Sequence, residues 1–493
     1  MSNFYAACDL GTEAGRVMLG TLHKGELTIS EIRRFQNLPV KEKGSLHWNI
    51  PQLYQEILDG LREIGKYEEP VASVSCTAWD RDYLLFTSDG SLIPPSHQAD
   101  DARSATGMDA VLSKIAWPVI YEETGVQHTP GSTLFQLGAE KPRRLRQASH
   151  LMPVADGFNY LLSGVPSVEM SSASATQLYS PASNDWSEPL VSTLGLPRQL
   201  LPNIVPAGTR LGMFRTDLAR ATGLMEARVV ASCSHDLAAA LTGLPVVNGE
   251  PWAFLQLGTN SVLGNSIVRP IINDDSRELN FGNTPAPCGD NYFHTRTVGL
   301  RILQECRQYW KAHDRELDGD VLMHLAACAE PFESLINPAD QRFLTPGDMP
   351  LKIQAFCNET GQPVPRKPGA VLRCVLESLA LYYRKTLLDL RHLTGRNITK
   401  LFLFGDTSNS LLNHFTANAL EVPVVVATPE TRTIGNVLMQ ALAVGHITSF
   451  DELQDIARRA FAPETITPRA GIWSGAYERF VQLDMKESEM AVA

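Results

Sequence analysis

Residues 5–22 read Tyr5-Ala6-Ala7-Cys8-Asp9-Leu10-Gly11-Thr12-Glu13-Ala14-Gly15-Arg16-Val17-Met18-Leu19-Gly20-Thr21-Leu22. Two apolar runs flank a short glycine-bearing segment, so the pattern predicts a strand, a turn over residues 9–15 and a second strand. A carboxylate ahead of a tight glycine turn can serve a phosphorylated ligand. Backbone N–H groups of the turn meet phosphate oxygens, and the carboxylate holds Mg2+ directly or through water. A plain surface hairpin uses the same residues, so the stretch decides nothing by itself.

An echo of it lies roughly 250 residues on, where the strand Trp252 to Leu257 runs into Gly258-Thr259-Asn260-Ser261. No repeat of 20–50 residues is present, and the echo points to a duplicated domain. Between the two, residues 51–66 set Leu53, Ile57, Leu58, Leu61 and Ile64 on one helical face behind Pro51. Residues 71–76 form a short apolar strand entering a polar loop, 77–82, and a strand resumes at Tyr83. Residues 100–225 are mixed helix and loop with many Pro and Gly breaks. Further on, the pattern predicts a long helix over 368–394, a strand from Lys400, a turn at Gly405-Asp406-Thr407 and a helix from Asn409 to Leu420. A strand over 422–427 and a helix over 434–444 follow. Strands alternating with helices make an α/β protein with parallel or mixed sheets covered on both faces. The expected division is 1–241, 242–465 and a last segment, 466–493, packing back on the first domain.

Composition narrows the function classes. The chain has 493 residues, 44% hydrophobic and 20% charged, as in ordinary folded domains. Its net charge of -11 argues against a nucleic-acid partner, which needs a basic face. The eight cysteines show no CxxC spacing, which argues against a zinc site and leaves buried thiols in a reducing compartment as the expectation. The opening residues carry no basic region followed by a long apolar stretch, and no uncharged apolar run approaches the ~18 residues of a membrane span. A cytoplasmic protein without a membrane role is expected.

Two further segments carry chemistry. Ser234-His235-Asp236 follows the apolar strand Ala227 to Ala231 and opens a helix. Asp there is a good helix cap and needs no other role. It is also well placed to take the proton of an alcohol that attacks a γ-phosphate. Phe404-Gly405-Asp406-Thr407-Ser408-Asn409 is a strand, a glycine turn and a helix start, suited to an adenosine moiety or an anion. Gly60 to Lys66 has most of a P-loop spacing, but Tyr67 stands where the metal-binding hydroxyl is required and the segment is helical, so that reading is rejected.

In this order and spacing the segments resemble the FGGY carbohydrate kinases, and within them the rhamnulokinase branch. The likeness runs over nearly the whole chain. It takes in Asp9-Leu-Gly-Thr with Gly15-Arg16, Trp48, Trp79 with Asp82-Tyr-Leu-Leu, Asp101-Ala-Arg103, Asp156-Gly-Phe-Asn, Ser234-His235-Asp236, Gly258-Thr259 with Ser261, Glu377-Ser-Leu-Ala and Gly435-Asn436. The resemblance implies two ribonuclease-H-like domains of the actin-like ATPase type, with an interdomain cleft that closes on ATP and a sugar. It implies Asp236 as catalytic base and Asp9 as holder of Mg2+. Gly11, Thr12, Gly258, Thr259, Gly405, Asp406 and Asn409 would line the nucleotide. Trp79, Asp80, Asp82 and His235 would face the sugar, with Asp101 and Arg103 contributing. A homodimer is expected for this size and family.

The departures from the family pattern are all local. Glu13-Ala14 stand where small hydroxyl residues are usual, and Asp100 where an arginine is usual. The sugar loop, Asp-Thr-Trp-Gly-Val-Asp in the rhamnulokinase branch, reads Thr77-Ala78-Trp79-Asp80-Arg81-Asp82 here. The glycine run of the adenosine turn is reduced to Gly405-Asp406. Glu13, Asp80 and Asp406 thus add acid at motif positions. The first expectation is a sugar kinase acting on a ketose or polyol. The competing one is a catalytically impaired relative that binds sugar or nucleotide as a sensor or assembly subunit.

Overall fold

The structure is a computed structural model that describes residues 2–247, 249–313, 318–460, 463–469 and 471–492, with side chains described as far as 483. Its contacts divide the chain into two α/β units. One holds Met1–Val247, Ser266–Phe293 and Glu430–Ala462; the other holds Asn248–Asn265, His294–Pro429 and Pro463–Ala493.

The first unit is built on a six-stranded sheet in the order Thr209–Met213, Arg228–Ala231, Val71–Thr77, Ser2–Leu10, Ala14–His23, Glu26–Gln36. The opening hairpin forms as expected but is tighter, because pairing continues through Asp9↔Arg16 and Leu10↔Gly15. Asp9 therefore belongs to the strand and not to the turn. Val71–Thr77 lies parallel to Ser2–Leu10 and to Arg228–Ala231, so the sheet is mixed.

Helix Ile50–Ile64 buries Leu53, Ile57, Leu58, Leu61 and Ile64, the face its periodicity predicts, and Asn49 caps it by accepting from Gln52 N at 3.3 Å. Gly60 lets it lie close on the sheet, since a Cβ there would meet Val17 Cγ2 at 2.6 Å. On the sheet's other side Gln440 of helix Thr431–Val444 donates to Ala6 O at 3.1 Å and accepts from Ser73 Oγ at 2.7 Å. These buried bonds tie residues 430–462 to the first unit, whereas the expected division counts them with the second domain.

The second unit repeats the theme. Trp252–Leu257 pairs antiparallel with Asn260–Ile267 and parallel with Lys400–Gly405, which continues to Val424–Val426 and Glu464–Ile466. Helices Pro368–Thr394 and Ser410–Leu420 pack together there. The described part of the last segment stays in this unit. Trp473 meets Phe332 at 4.7 Å and Phe415 at 5.3 Å, and Arg479 donates to Phe332 O at 3.0 Å. These contacts hold the described part in the second unit, whereas the expectation for 466–493 is a return to the first domain. Six cysteines are buried, whereas Cys288 and Cys328 are exposed. No helix among the described residues is long and apolar enough to cross a membrane.

Candidate active site

Asp9 is fully buried at the end of the first strand, and three side chains donate to its carboxylate. Oδ1 accepts from Thr77 Oγ1 at 3.0 Å, and Oδ2 accepts from Arg16 Nη2 at 3.2 Å and from the hydroxyl of Thr433. Arg432 Nε stands 3.7 Å from the same Oδ2. Hairpin register supplies Arg16, because it is the cross-strand partner of Asp9. Of the two ways Asp9 was expected to hold Mg2+, directly or through water, direct coordination does not fit this donor set. Two guanidinium cations and two hydroxyls already surround the carboxylate, and a divalent cation would meet like charge. Gly11 and Thr12 form the adjoining turn, where Gly11 N donates to Ala14 O at 2.9 Å and Thr12 is exposed.

Asp236 begins helix Asp236–Thr242 at its first helical position, with His235 as the cap residue. Its carboxylate makes no capping bond. It lies 3.4 Å from His235 Nε2 and 3.8 Å from Arg432 Nη1, with about a quarter of the side chain exposed. The capping role that the sequence alone allowed is therefore not the one observed. Helix Thr431–Val444 brings Arg432 here by an unusually close approach. A Cβ on Gly435 would stand 1.9 Å from Ala239 O, and one on Gly243 would stand 2.1 Å from Thr431 O. That helix starts three residues before its expected start at 434, which is why sequence reasoning missed Arg432 and Thr433.

A carboxylate pair buttresses the segment before Asp236. Asp156 Oδ1 accepts from Ser234 Oγ at 2.8 Å, and Glu169 Oε2 accepts from Ser234 N at 2.9 Å. Burial, followed by the neighbouring Glu169 charge, pushes the Asp156 carboxyl up to about 8. His235 is buried with Nδ1 unpartnered among the described residues. A buried imidazole nitrogen without a partner fits a ligand hydroxyl.

The loop after Val71–Thr77 joins this segment directly. Ala78 N donates to Ser234 O at 3.0 Å, and Asp236 N donates to Ala78 O at 3.1 Å. Trp79 donates its indole N–H to Asp82 Oδ2 at 2.8 Å, Trp48 donates to the same atom at 2.7 Å, and Gln136 Nε2 donates to Oδ1 at 3.1 Å. Asp82, expected to face the sugar, has its carboxylate buried and bonded to three donors, through which it positions Trp79. Burial pushes it up to about 6 against the pull of both indoles. Asp80 remains partly exposed and pairs with Arg81 at 3.4 Å, so its added charge is locally offset. Arg81 itself has φ 77, a strained value for a side-chain-bearing residue and a mark of a loop shaped for a purpose.

Asp101 and Arg103 serve a separate cluster. Asp101 accepts from Ser45 Oγ at 2.8 Å, Leu46 N at 2.5 Å and Arg103 N at 2.9 Å. Burial pushes its carboxyl up, and these bonds outweigh burial and hold it below the usual range. Arg103 donates to Tyr83 Oη at 3.1 Å and to Glu140 Oε2 at 3.4 Å, while Arg144 Nη1 lies 2.9 Å from both Glu140 oxygens. Both expected contact residues thus hold this cluster together. Nothing in the sequence pattern marked Glu140, Arg144 or Gln136, which are distant in the chain.

In the second unit the predicted nucleotide turns come together. Gly405 lies opposite Leu257 in the parallel pair and has φ 89, and Asp406 N donates to Leu257 O at 2.9 Å. Gly258 and Thr259 follow Leu257, and Thr259 Oγ1 donates to Gln304 Oε1 at 3.4 Å. The Asp406 carboxylate turns back to accept from Ser408 Oγ at 2.6 Å, and Asn409 caps helix Ser410–Leu420 through Leu412 N at 3.0 Å. Glu13 is exposed in the other unit.

Comparison with known proteins gives the family. The FGGY family of carbohydrate kinases matches with its N-terminal domain over residues 4–243 and its C-terminal domain over residues 253–444. The chain is 34% identical to a rhamnulokinase of Bacteroides thetaiotaomicron over 487 residues, covering 97% of this chain and 98% of that one. It is 33% identical to a rhamnulokinase of Pectobacterium carotovorum over 490 residues, covering 98% and 97%. Among solved structures, a ligand-bound xylulose kinase from Lactobacillus acidophilus superposes with a TM-score of 0.83 at 15% identity, covering 100% of this chain and 99% of that one. A Plasmodium falciparum glycerol kinase with ADP gives 0.80 at 13% identity, covering 100% and 98%. These two likenesses concern the fold.

Proposed function

This chain belongs to the FGGY family of carbohydrate kinases, and from that premise we propose that it transfers the γ-phosphoryl group of ATP to a hydroxyl of a ketose of the rhamnulose type. The observation that carries the reading is the Asp236 carboxylate. It stands at a helix start without a capping bond, partly exposed, next to a buried imidazole with an unpartnered nitrogen. A group so placed can take the proton of a sugar hydroxyl as its oxygen attacks phosphorus.

In this reading His235 and Asp80 bind sugar hydroxyls, and Trp79 forms an apolar wall held by Asp82. Asp101 and Arg103 support that side through the Glu140 cluster. In the second unit the turns at Gly258-Thr259 and Gly405-Asp406-Asn409 meet the nucleotide with backbone amides. Mg2+ would arrive bound to ATP phosphates and not through direct coordination by Asp9. Access of bulk water to the γ-phosphoryl group would favour hydrolysis, so productive transfer needs exclusion of water once both substrates are bound. A cytoplasmic homodimer is proposed as the working form.

The test is Mg2+-dependent ADP release from ATP with rhamnulose, fuculose, xylulose, ribulose, erythrulose and glycerol as acceptors. A sugar-specific rate that disappears in Asp236→Asn is expected. Equal, low rates with every acceptor, unchanged by the substitution, would sink the proposal.

A further inference from the structure

The guanidinium of Arg432 lies between the two carboxylates nearest the proposed reaction, 3.7 Å from Asp9 Oδ2 and 3.8 Å from Asp236 Oδ2. Both separations are ion-pair distances beyond hydrogen-bond reach. Among the described residues Arg432 has no further partner, and 21% of its side chain is exposed. Its neighbours are held otherwise. Arg16 Nη2 is bonded to Asp9 at 3.2 Å, and Thr433, next to Arg432 in the same helical turn, gives its hydroxyl to Asp9. Thr433 therefore fixes the turn while the Arg432 fork keeps its donors unspent.

We propose that Arg432 is a catalytic residue of phosphoryl transfer, its fork taking the equatorial oxygens of the γ-phosphoryl group. This rests on the reading of Asp236 as base. In the step, the sugar hydroxyl oxygen forms a bond to phosphorus, and the bond from phosphorus to the bridging oxygen breaks to release ADP. The hydroxyl proton passes to the Asp236 carboxylate. Negative charge spreads over three equatorial oxygens in the transition state, which is where a planar, always-charged fork contributes most. Without ligand the charges of Asp9, Asp236, Arg16 and Arg432 sum to zero, so a single arriving phosphoryl group finds a cation beside the base. The close helix approach at Gly435 and Gly243 places that cation from a segment far from Asp236 in the chain.

The experiment compares the full-length wild type with R432A, R432K and D236N. Two rates are read, ADP release with ATP and L-rhamnulose, and slow ATP hydrolysis without sugar. R432A should lower kcat by about 10³-fold with the sugar KM changed less than about threefold, and R432K should lose at least about tenfold. Low guanidinium chloride should restore part of the R432A rate and none of the D236N rate. D236N should lose sugar phosphorylation while keeping sugar-free hydrolysis, whereas R432A should lose both. A kcat for R432A within about threefold of wild type overturns the proposal, and so does a raised sugar KM with kcat preserved. Thermal melts check folding. If R432A melts early, R432K carries the same test. If L-rhamnulose is not a substrate, the hydrolysis arm still decides the role of Arg432.

Discussion

Gly405 lies so close to Leu257 that a Cβ on it would stand 2.2 Å from the Leu257 carbonyl oxygen. Its φ of 89 is equally closed to other residues. Gly405→Ala should therefore cost about 3 kcal/mol of stability from backbone strain and collision. Because the strand end and the Gly258 turn must shift together, KM for ATP should rise as well. Urea unfolding and ATP titration check this, and an unchanged midpoint would refute it.

Glu140 is a buried carboxylate carrying two arginines and the Tyr83 hydroxyl, the last at 2.6 Å. Burial pushes it up, and Tyr83, Arg144 and Arg103 outweigh that to hold it below the usual range. Glu140→Ala leaves two arginines without their anion and should cost about 3–5 kcal/mol. Glu140→Gln keeps the acceptor oxygen and should cost less. Denaturation midpoints of the two variants give the comparison, and equal losses would contradict the charge argument.

Asp156 makes stability depend on pH with a definite sign. Its folded carboxyl, pushed up to about 8 by burial and Glu169, binds its proton more tightly than in the unfolded chain. Its contribution is thus intact at low pH and is lost as pH rises from the ordinary carboxylate range through about 8. Asp156→Asn places an amide there permanently. Melting temperatures at pH 5 and pH 8.5 should differ less in Asp156→Asn than in wild type. A variant with the wild-type difference would show that Asp156 is not the source.

What could be read in advance followed chain locality. The hairpin at Asp9, the helix start at Asp236 and the two glycine turns each sit in a single short segment with its own pattern, and all form. The partners of Asp9 do not share that property. Thr77, Arg16 and Thr433 reach it through sheet register and a helix far along the chain. The buried partners of Asp82 and Asp101 were hidden for a related reason. A carboxylate in a motif looks the same in sequence whether it meets a ligand or two indoles, and burial decides which. Nothing local in helix Thr431–Val444 states that its Gln440 will bond Ala6 and Ser73 of the first unit.

Trp48 offers the sharpest test of that buried support. Its ring packs 4.7 Å from Trp79, and its N–H donates to Asp82 Oδ2 at 2.7 Å. Trp48→Phe keeps most of the packing and deletes the donor, leaving Asp82 with Trp79 and Gln136. Asp82, raised to about 6 by burial, is ionised above that pH and neutral below it. The lost bond is then one to a charged acceptor at pH 8, about 2–3 kcal/mol, and one to a neutral acceptor at pH 5, about 1 kcal/mol. Trp48→Phe should accordingly destabilise the protein more at pH 8 than at pH 5. A Trp79 ring held less firmly should raise the sugar KM with kcat little changed. Urea unfolding at both pH values and initial rates with L-rhamnulose read the two effects. A loss equal at pH 5 and pH 8 would mean that ring packing, and not the indole N–H, is what Trp48 contributes.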